Sequence, residues 1–386
     1  MNRLAVLATL LIFALALAIP AQASERNDGG YYIIVDEAGQ PVFHTGWRIR
    51  VGDQCLTADN RRYEVIDIRG DTGYGKFLGK VDITAYAPPP SALPALTGRT
   101  ALNSAQAQGN MVAIYHTHSD ESYVPTDGKE SVPGNGGVYK VGKVFADSLQ
   151  AKGIQAVQST AKHDPHDDMA YERSRRTALD LVKQQPAAIF DVHRDAVPPE
   201  VYKANIGGQD VSKVQLVVGK YGPTGKQIED YALQVKAASD QQHPGLVKGI
   251  FFAKGGDYNQ DLHPRSLLLE VGAHTNDRPS AERGIALFAD VVPTVIGRTA
   301  GNPGNPGGVA GFGTSGAGAS GASKAMGWVV GLLVVGVAGF LLVATGSFKE
   351  AGAKLKQFRT TEFANFFGPR AKRKQRPDDK DEDDNG

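Results

Sequence analysis

Residues 111–121 have the sequence MVAIYHTHSDE, in which a run of apolar residues leads directly into a run of polar ones. An apolar run of this length is typical of a buried strand. In an open parallel sheet, reactive side chains collect just beyond the carboxyl ends of the strands. The stretch therefore predicts a central strand, and it also predicts the edge of the sheet at which a functional site should lie.

Outward from this stretch, short apolar segments alternate with segments of helical periodicity. The predicted strands lie at residues 154–157, 187–192, 214–218 and 266–269, and the predicted helices at residues 138–152, 171–185, 228–239 and 280–291. Such alternation is typical of layered α/β domains. We therefore predict an α/β domain over residues 111–300, in which helices flank a mostly parallel, twisted sheet.

The preceding region, residues 31–86, has a different pattern. Segments such as 47–51 and 63–68 alternate between apolar and polar residues, and Gly-Asp pairs separate them. This pattern is typical of hairpins and predicts a small N-terminal all-β unit. Residues 87–110 are rich in Pro, Ala and Ser, which predicts a linker between the two parts.

The N-terminal segment predicts export. Residues 1–23 combine the basic Arg3, an apolar run and the small residues Ala21 and Ala23. This combination is typical of a secretory signal peptide, here cleaved before Ser24, and an uncleaved membrane anchor is the alternative.

A second segment predicts attachment to the membrane. Residues 325–348 carry no charge and are long enough to span a bilayer as a transmembrane helix. The tail at 349–386 is rich in Lys and Arg, which predicts that it is cytoplasmic. The Gly-rich residues 301–324 predict a flexible tether. The chain is thus expected to be a single-pass protein of the cell membrane, with residues 24–300 on the extracytoplasmic side.

Composition excludes one class of partner and one kind of cross-link. The net charge is +1 over 386 residues, which argues against a nucleic-acid-binding protein. Cys55 is the only cysteine, so no intramolecular disulfide can form. We predict that Cys55 is a small buried hydrophobic residue.

Three of the predicted strands end in residues that bind metals or carry protons. Catalytic zinc typically takes three protein ligands from His and Glu or Asp, with one position left open. His118, Glu121 and His193 supply such a set, and Glu270 is the candidate general base and acid. His116 would face the same side of an extended strand as His118, so His116 is an alternative ligand or a residue that supports one.

Other polar residues receive a structural interpretation. Arg194 and Asp195 are expected to form a local ion pair or to brace a loop. The remaining histidines are predicted to be surface or loop residues, except His274, which stays ambiguous; they are His163, His166, His243 and His263.

Five motifs in this region resemble the stage II sporulation protein P family, and they occur in the expected order. They are HTHSDESY at 116–123, ERS at 172–174, DVHRDA at 191–196, YNQDL at 258–262 and LEVG at 269–272. The resemblance covers residues 111–296. It implies an amidase-like fold and the activity of a zinc-dependent peptidoglycan hydrolase.

The resemblance also implies a reaction and a partner. The reaction is cleavage of the amide between N-acetylmuramic acid and L-alanine, with an additional endopeptidase activity, and the partner is a lytic transglycosylase that acts during engulfment of the forespore. His118, Glu121 and His193 match the family's zinc positions and Glu270 its catalytic carboxylate, while the choice between His116 and His118 stays open. Family members are commonly anchored by an N-terminal helix, whereas the anchor predicted here is C-terminal.

Two rival functions fit part of the pattern. A zinc carboxypeptidase has a similar order of His, Glu, His and Glu, and it needs an arginine for the free carboxylate of its substrate. Arg194 and Arg265 are the nearest candidates for that arginine. An inactive module that binds the cell wall is the second rival, although a full ligand set together with Glu270 argues against it.

Overall fold

The computed structural model describes residues 25–26, 28–87, 111–220 and 222–297. The signal peptide, the tether, the C-terminal helix and its tail, and residues 88–110 of the linker are predictions that fall outside these residues. Within the described part of the chain, no helix is long and apolar enough to cross a membrane.

The strands form one large sheet and a separate ribbon of two strands. In chain order they are β1 (Tyr32–Val35), β2 (Pro41–Thr45), β3 (Gln54–Thr57), β4 (Arg61–Arg69), β5 (Thr72–Lys80), β6 (Met111–Tyr115), β7 (Gln155–Gln158), β8 (Ala188–Asp195), β9 (Lys203–Ile206), β10 (Gln209–Ser212), β11 (Val214–Gly219), β12 (Val247–Ala253) and β13 (Ser266–Ala273). The ribbon consists of β9 and β10.

The helices lie between the strands, as the alternating pattern predicts. They are α1 (Val124–Asp127), α2 (Val138–Ala151), α3 (Ala170–Val182), α4 (Gly225–Gln242) and α5 (Arg278–Ile296), with short 3-10 turns at Ile83–Tyr86, Pro199–Val201 and Gln260–Leu262. Local chemistry sets their ends. Asp277 accepts a hydrogen bond from the Ser280 amide at the start of α5, and Gly153, with φ +79°, follows the last turn of α2.

The large sheet has eleven strands in the order β2-β1-β5-β4-β3-β12-β11-β13-β8-β6-β7. The four strands β13, β8, β6 and β7 run parallel to one another, and so do β11 and β12. However, β11 is antiparallel to β13, and hairpins join most of the N-terminal strands. The layered α/β fold is confirmed, but the sheet as a whole is mixed and not mostly parallel.

The N-terminal strands are not a separate unit, in contrast to the expectation for residues 31–86. β3 pairs antiparallel with β12, with Leu56 opposite Ile250. Phe43 of β2 also belongs to one buried cluster with Phe251 and Leu268 of the central strands. Without β3, β12 would be an edge strand with unpaired backbone groups, and the pairing with β3 satisfies them. The N-terminal strands thereby become part of the structure that surrounds the site.

Cys55 on β3 is fully buried, as predicted. Burial raises the pKa of its thiol to about 12, so the reactive thiolate is scarce at neutral pH.

The two faces of the sheet bury different groups because side chains alternate along each strand. On β8, Phe190 and Val192 point into the core beneath α2, α4 and α5. Asp191 and His193 occupy the intervening positions and are equally buried. The candidate site is therefore on the face opposite those three helices.

Candidate metal centre

The loop after β6 carries two side chains of the site. His118 and Glu121 are both buried, and His118 Nδ1 lies 3.3 Å from Glu121 Oε1. Residues beyond the loop fold closely over it, and Gly136 lies so near that a Cβ there would be 2.5 Å from the Glu121 carbonyl oxygen. The close packing fixes where Glu121 presents its carboxylate.

His193 joins these two residues from β8. Its Nδ1 lies 3.4 Å from Glu121 Oε1, and its Nε2 lies 2.9 Å from Asp191 Oδ1. A carboxylate behind a histidine fixes the orientation of the ring and makes the other nitrogen a better metal ligand. Thr117 in turn holds Asp191, since its amide donates to Oδ1 at 2.8 Å and its hydroxyl to Oδ2 at 2.5 Å.

Two sequence motifs meet behind this pair. The Ser174 hydroxyl of the ERS motif lies 2.9 Å from the Thr117 hydroxyl, and Asn259 of the YNQDL motif donates to Ser174 at 3.1 Å. A chain of buried hydrogen bonds therefore runs from Asn259 through Ser174 and Thr117 to Asp191. The two motifs are distant in sequence, but this network of hydrogen bonds joins them, and both support the site from behind.

A fourth side chain, that of Glu25, enters the cluster from the start of the described chain. Glu25 Oε1 lies 3.1 Å from His118 Nδ1 and 3.8 Å from His193 Nδ1. This oxygen is buried and has no hydrogen-bond partner. A buried oxygen without a partner is costly unless something else satisfies it, and a metal ion would do so.

The distances fit a tetrahedral metal. Ligands at about 2.0–2.1 Å from zinc lie about 3.3–3.4 Å from one another in a tetrahedron. Four of the six edges that join the ligand atoms of His118, Glu121, His193 and Glu25 measure 3.1, 3.3, 3.4 and 3.8 Å. The donor set of imidazole nitrogens and carboxylate oxygens suits zinc. These residues therefore fit the metal that the sequence predicts.

His166 is a further candidate ligand. Its ring stacks on that of His118 with centroids 3.9 Å apart, and its Nε2 lies 3.5 Å from Glu25 Oε2. One atom each of Glu25, His118, Glu121 and His166 lie within 4.8 Å of one another, so His166 could take the place of His193. We favour His193, because its second nitrogen faces Asp191 and its first lies nearer to Glu121.

His166 has a separate role as a partner of acidic groups. Its Nδ1 lies 3.2 Å from Asp120 Oδ1. Burial alone would lower its pKa, but hydrogen bonds to Asp120 and Glu25 raise it to about 10. The protonated ring is thus a counter-charge to the carboxylates in the protein without metal.

Glu270 lies beside His193 in the register of the parallel strands β13 and β8. Its Oε1 accepts a hydrogen bond from Trp47 Nε1 at 2.8 Å, whereas its Oε2 is buried without a partner. Burial, together with the nearby charges of Asp195 and Glu25, raises the pKa of Glu270 well above its ordinary value. The carboxyl group is therefore held by one oxygen and has the other available for a proton.

His116 is not brought to the cluster. Its Nδ1 donates to the Val192 carbonyl oxygen at 2.9 Å, and its Nε2 accepts from the Gln158 amide at the same distance. Burial lowers its pKa to about 4, which keeps the ring neutral. Of the two histidines that the sequence leaves open, His118 is the one placed at ligand distance, and His116 braces the end of β6.

Arg194 and Asp195 do not pair with each other. Asp195 accepts hydrogen bonds from Gly46 and Tyr202 at 2.7 and 2.8 Å and so braces loops. The Arg194 amide donates to Glu121 Oε2 at 3.0 Å. The local ion pair predicted for these two residues is replaced by separate contacts on either side of β8.

The comparisons with known proteins begin with the family. Residues 79–293 match the family model of Stage II sporulation protein P (SpoIIP). The chain belongs to this family. The resemblance predicted from the motifs is thereby confirmed, and the match includes His118, Glu121, His193 and Glu270 but not Glu25.

One relative is a curated SpoIIP protein. Stage II sporulation protein P of Bacillus subtilis (strain 168) is 32% identical over 200 residues, which cover 47% of this chain and 50% of that protein. The chain thus spans about half the length of this curated SpoIIP relative.

Solved structures with partial similarity are amidases. N-acetylmuramoyl-L-alanine amidase AmiC2 of Nostoc punctiforme is 17% identical with a TM-score of 0.30, and the match covers 49% of this chain and 95% of that one. The CwlD amidase from Clostridioides difficile, solved in complex with the GerS lipoprotein, is 9% identical with a TM-score of 0.33, and the match covers 49% of this chain and 98% of that one. Ami1 from Mycobacterium smegmatis is 16% identical with a TM-score of 0.29, and the match covers 49% of this chain and 95% of that one.

Sequence reasoning missed several residues of this SpoIIP site. Asp191 had a usable signal, because it lies two positions before His193 and therefore on the same face of a strand. Glu25 and Trp47 had none, since both reach the site through long-range pairing. His163 and His166 lie in a loop, as predicted, but the sequence did not reveal that His163 is buried and that His166 contacts the cluster.

Proposed function

We propose that this SpoIIP chain is a zinc-dependent N-acetylmuramoyl-L-alanine amidase that cuts peptidoglycan outside the cytoplasm during sporulation. An endopeptidase activity on cross-links is a further property to measure. One observation carries the proposal. His118, Glu121 and His193 converge at ligand distances beside Glu270, a buried carboxyl group with one unpaired oxygen. That combination supplies both parts of a metal-assisted hydrolysis, a metal site and a proton carrier.

The residues have distinct tasks in this hydrolysis. His118, Glu121 and His193 would hold zinc, which when bound supplies a Lewis acid that polarises a carbonyl and makes water more acidic. Glu270 takes a proton from the attacking water at Oε2 and returns it to the leaving nitrogen. The C–N bond breaks, a C–O bond forms, and Glu270 ends in its starting state.

Two other residues orient the reacting groups. Trp47 fixes Glu270 by donating to Oε1, so that Oε2 remains directed at the substrate. Asp191 Oδ1 lies 2.9 Å from His193 Nε2, and this ion pair would orient the ring. Both contacts are buried, which strengthens them because water does not compete.

The product identifies the reaction. Purified full-length chain is incubated with peptidoglycan, and the released ends are analysed by mass spectrometry. An amidase leaves a free lactyl group on muramic acid and an intact stem peptide that begins with L-alanine. Loss of a terminal amino acid would mean a carboxypeptidase, cleaved cross-links would add the endopeptidase activity, and no release would mean a binding module.

The metal is tested separately. His193→Ala should lose zinc and activity together, whereas His243→Ala should lose neither, because the His243 side chain pairs with Asp290 on α5 and is not in the cluster. Equal zinc binding by both variants would contradict the proposed centre.

A zinc carboxypeptidase remains the second candidate because Arg194 lines a cleft beside Glu25 and His274. The other candidate arginine, Arg265, precedes β13 and donates to the Ala187 carbonyl oxygen, at the opposite end of the strand from Glu270. Arg194→Lys separates the two functions. A carboxypeptidase would lose affinity for a free carboxylate, and an amidase would retain its KM.

Location and partner are also proposals. The catalytic region would be held at the outer face of the cell membrane by residues 325–348 and would act with a lytic transglycosylase. Protease added to intact protoplasts should degrade the catalytic region and spare an epitope tag at the C-terminus. Degradation of the tag instead would reverse the topology. Co-purification of a transglycosylase after cross-linking in sporulating cells would test the partner.

A further inference from the structure

Glu25 reaches the metal centre from a different part of the chain than the other three side chains. It forms an isolated bridge with Trp47, and its carboxylate contacts His118 and His193. The side chain is only 7% exposed. Its Oε1 has no hydrogen-bond partner and its Oε2 lies 3.5 Å from His166 Nε2, so contacts with histidines account for the position of the carboxylate.

This position conflicts with turnover. Structural zinc sites are closed by four protein ligands, whereas catalytic sites use three and keep one position for water or substrate. His118, Glu121 and His193 already provide three. A carboxylate from Glu25 at a similar distance fills the position that hydrolysis needs.

The segment that carries Glu25 is attached by few contacts. Besides the bridge to Trp47, the Arg26 amide donates to the Gly46 carbonyl oxygen at 3.0 Å. The Arg26 guanidinium pairs with Asp28 and Asp71, lies 4.8 Å from the ring centre of Tyr32 and donates to the Tyr31 carbonyl oxygen at 3.4 Å. Both carboxylates are more than 60% exposed, at 65% and 64%. Exposed ion pairs of this kind contribute about 0–1 kcal/mol each. The segment can therefore leave without unfolding the sheet.

Departure of the segment would open the site to a neighbouring cleft. Glu25 and Arg26 form part of the wall of this cleft, which also includes His166, Arg194 and His274. The space next to the metal centre is thus continuous with the place where a substrate would enter.

We propose that Glu25 is a fourth ligand of the metal centre and that it holds the enzyme in a self-blocked state, released when Glu25 and Arg26 move away from Trp47. The proposal deepens the function proposed above, because it rests on the same metal centre. It predicts opposite effects of removing Glu25: weaker metal binding, and easier access of small anions to the metal.

The experiment uses full-length protein, purified in mild detergent. Zinc affinity is measured by competition with a chromophoric chelator. Access is measured by titrating the cobalt-substituted protein with azide and following its visible absorption. Glu25→Gln and Glu25→Ala are compared with the wild type and with Glu200→Gln, a matched change at a residue whose side chain is 74% exposed.

For Glu25→Gln we expect zinc affinity to fall about tenfold or more, within the range seen when groups around a metal are removed. Azide should bind about tenfold more tightly, because a ligand whose site is open in only a fraction of molecules binds with affinity reduced by that fraction. A zinc Kd or an azide Kd within twofold of that of Glu200→Gln would overturn the proposal.

A second variant keeps the test decisive if Glu25→Gln does not fold. Asp71→Asn removes the ion pair between Arg26 and the turn after β4, and it leaves Glu25 intact. Azide should then bind about two- to fivefold more tightly, since the blocked state loses one weak contact. No change in azide binding would count against the proposal.

Failure of the proposed function would have a different signature. If His193→Ala binds zinc like the wild type, the metal centre itself is wrong. If the affinities for zinc and azide change in Glu25→Gln as expected but no variant releases peptidoglycan fragments, the proposal of a blocked metal site is supported. The proposal of an amidase activity is then wrong.

Discussion

The two faces of the central sheet differ although the same strands build both. Beneath α2, α4 and α5, Phe145, Phe190 and Phe288 pack with ring centroids 5.4, 5.9 and 6.1 Å apart, in tilted and edge-to-face arrangements. On the other face, the same strand β8 presents Asp191 and His193, which are just as buried. One face thus buries mainly hydrocarbon, whereas the other buries charge beside its own apolar clusters.

The difference teaches how such a site is stabilised. Burying an unpaired charge is costly, so the polar face needs a stable scaffold behind it. The aromatic face supplies that scaffold, since large buried aromatic side chains contribute strongly to stability. A change on the aromatic face should therefore affect folding, and a change on the polar face should affect metal binding and chemistry.

The largest effect is expected for Glu270→Gln. The variant keeps the size of the side chain and the acceptor for Trp47 but cannot carry the proton. Peptidoglycan hydrolysis should fall by about 10²–10⁴-fold, while zinc affinity stays within about threefold because Glu270 is not among the ligands. Turnover is measured by the rate of fragment release and zinc by chelator competition.

The matched control is Glu200→Gln, which should hydrolyse peptidoglycan like the wild type. A fully active Glu270→Gln would show that another group moves the proton.

Phe288→Ala tests the opposite face. Phe288 is fully buried between Phe145 and Phe190, and its removal leaves a cavity. The free energy of unfolding should fall by about 3–5 kcal/mol. Zinc affinity of the folded protein should stay the same, because the ligands lie across the sheet.

Urea unfolding measures this change, with Leu179→Ala as the control. Leu179 on α3 is 41% exposed, so its loss should cost no more than about 0.5 kcal/mol. If Phe288→Ala lowers the free energy of zinc binding by more than it lowers the free energy of unfolding, the two faces are not independent.

Part of this site can be predicted from the local sequence alone. His118, Glu121, His193 and Glu270 could be found because each follows a predicted strand, and strand periodicity is a local property. The choice between His116 and His118 could not be made, because it depends on whether Val192 and Gln158 occupy the nitrogens of His116.

Other features depend on contacts between distant parts of the chain. The pairing of β3 with β12 decides that the sheet is mixed and that Trp47 reaches Glu270, and periodicity does not specify which strands pair. Glu25 forms a single isolated bridge and is not part of a strand, so no local sequence pattern predicts its position. The sequence therefore predicts the candidate ligands that lie on or directly after regular strands, and it omits those that come from elsewhere in the chain.

Asp191→Asn should have a moderate effect confined to the polar face. The neutral amide does not balance the charge of the His193 ring 2.9 Å away, and it cannot accept both hydrogen bonds from Thr117 as the carboxylate does, so the orientation of the ring is lost. Zinc affinity should fall by about 10–100-fold. Asp290→Asn, on α5, is the matched control and should leave the zinc Kd unchanged. Equal zinc affinity in both variants would remove Asp191 from the metal centre.

The smallest effect is expected from a buried charge at the border of the polar face. Lys248 on β12 donates to the His44 carbonyl oxygen at 2.8 Å and lies against the rings of Phe43 and Tyr202. Burial lowers its pKa to about 8, and attraction to acidic groups offsets this only in part.

The sign of the pH dependence follows from this lowered pKa. Between about pH 8 and pH 10 the unfolded chain keeps the proton on Lys248 while the folded chain releases it. The unfolded state then binds more protons, so this residue makes stability rise with pH across that window and contributes its full penalty below it. Lys248→Met removes the contribution. The free energy of unfolding of the wild type should therefore increase relative to that of the variant as the pH rises from 8 to 10. A constant difference between the two proteins would mean that Lys248 keeps an ordinary pKa, and that the polar face tolerates this charge without the cost that burial imposes.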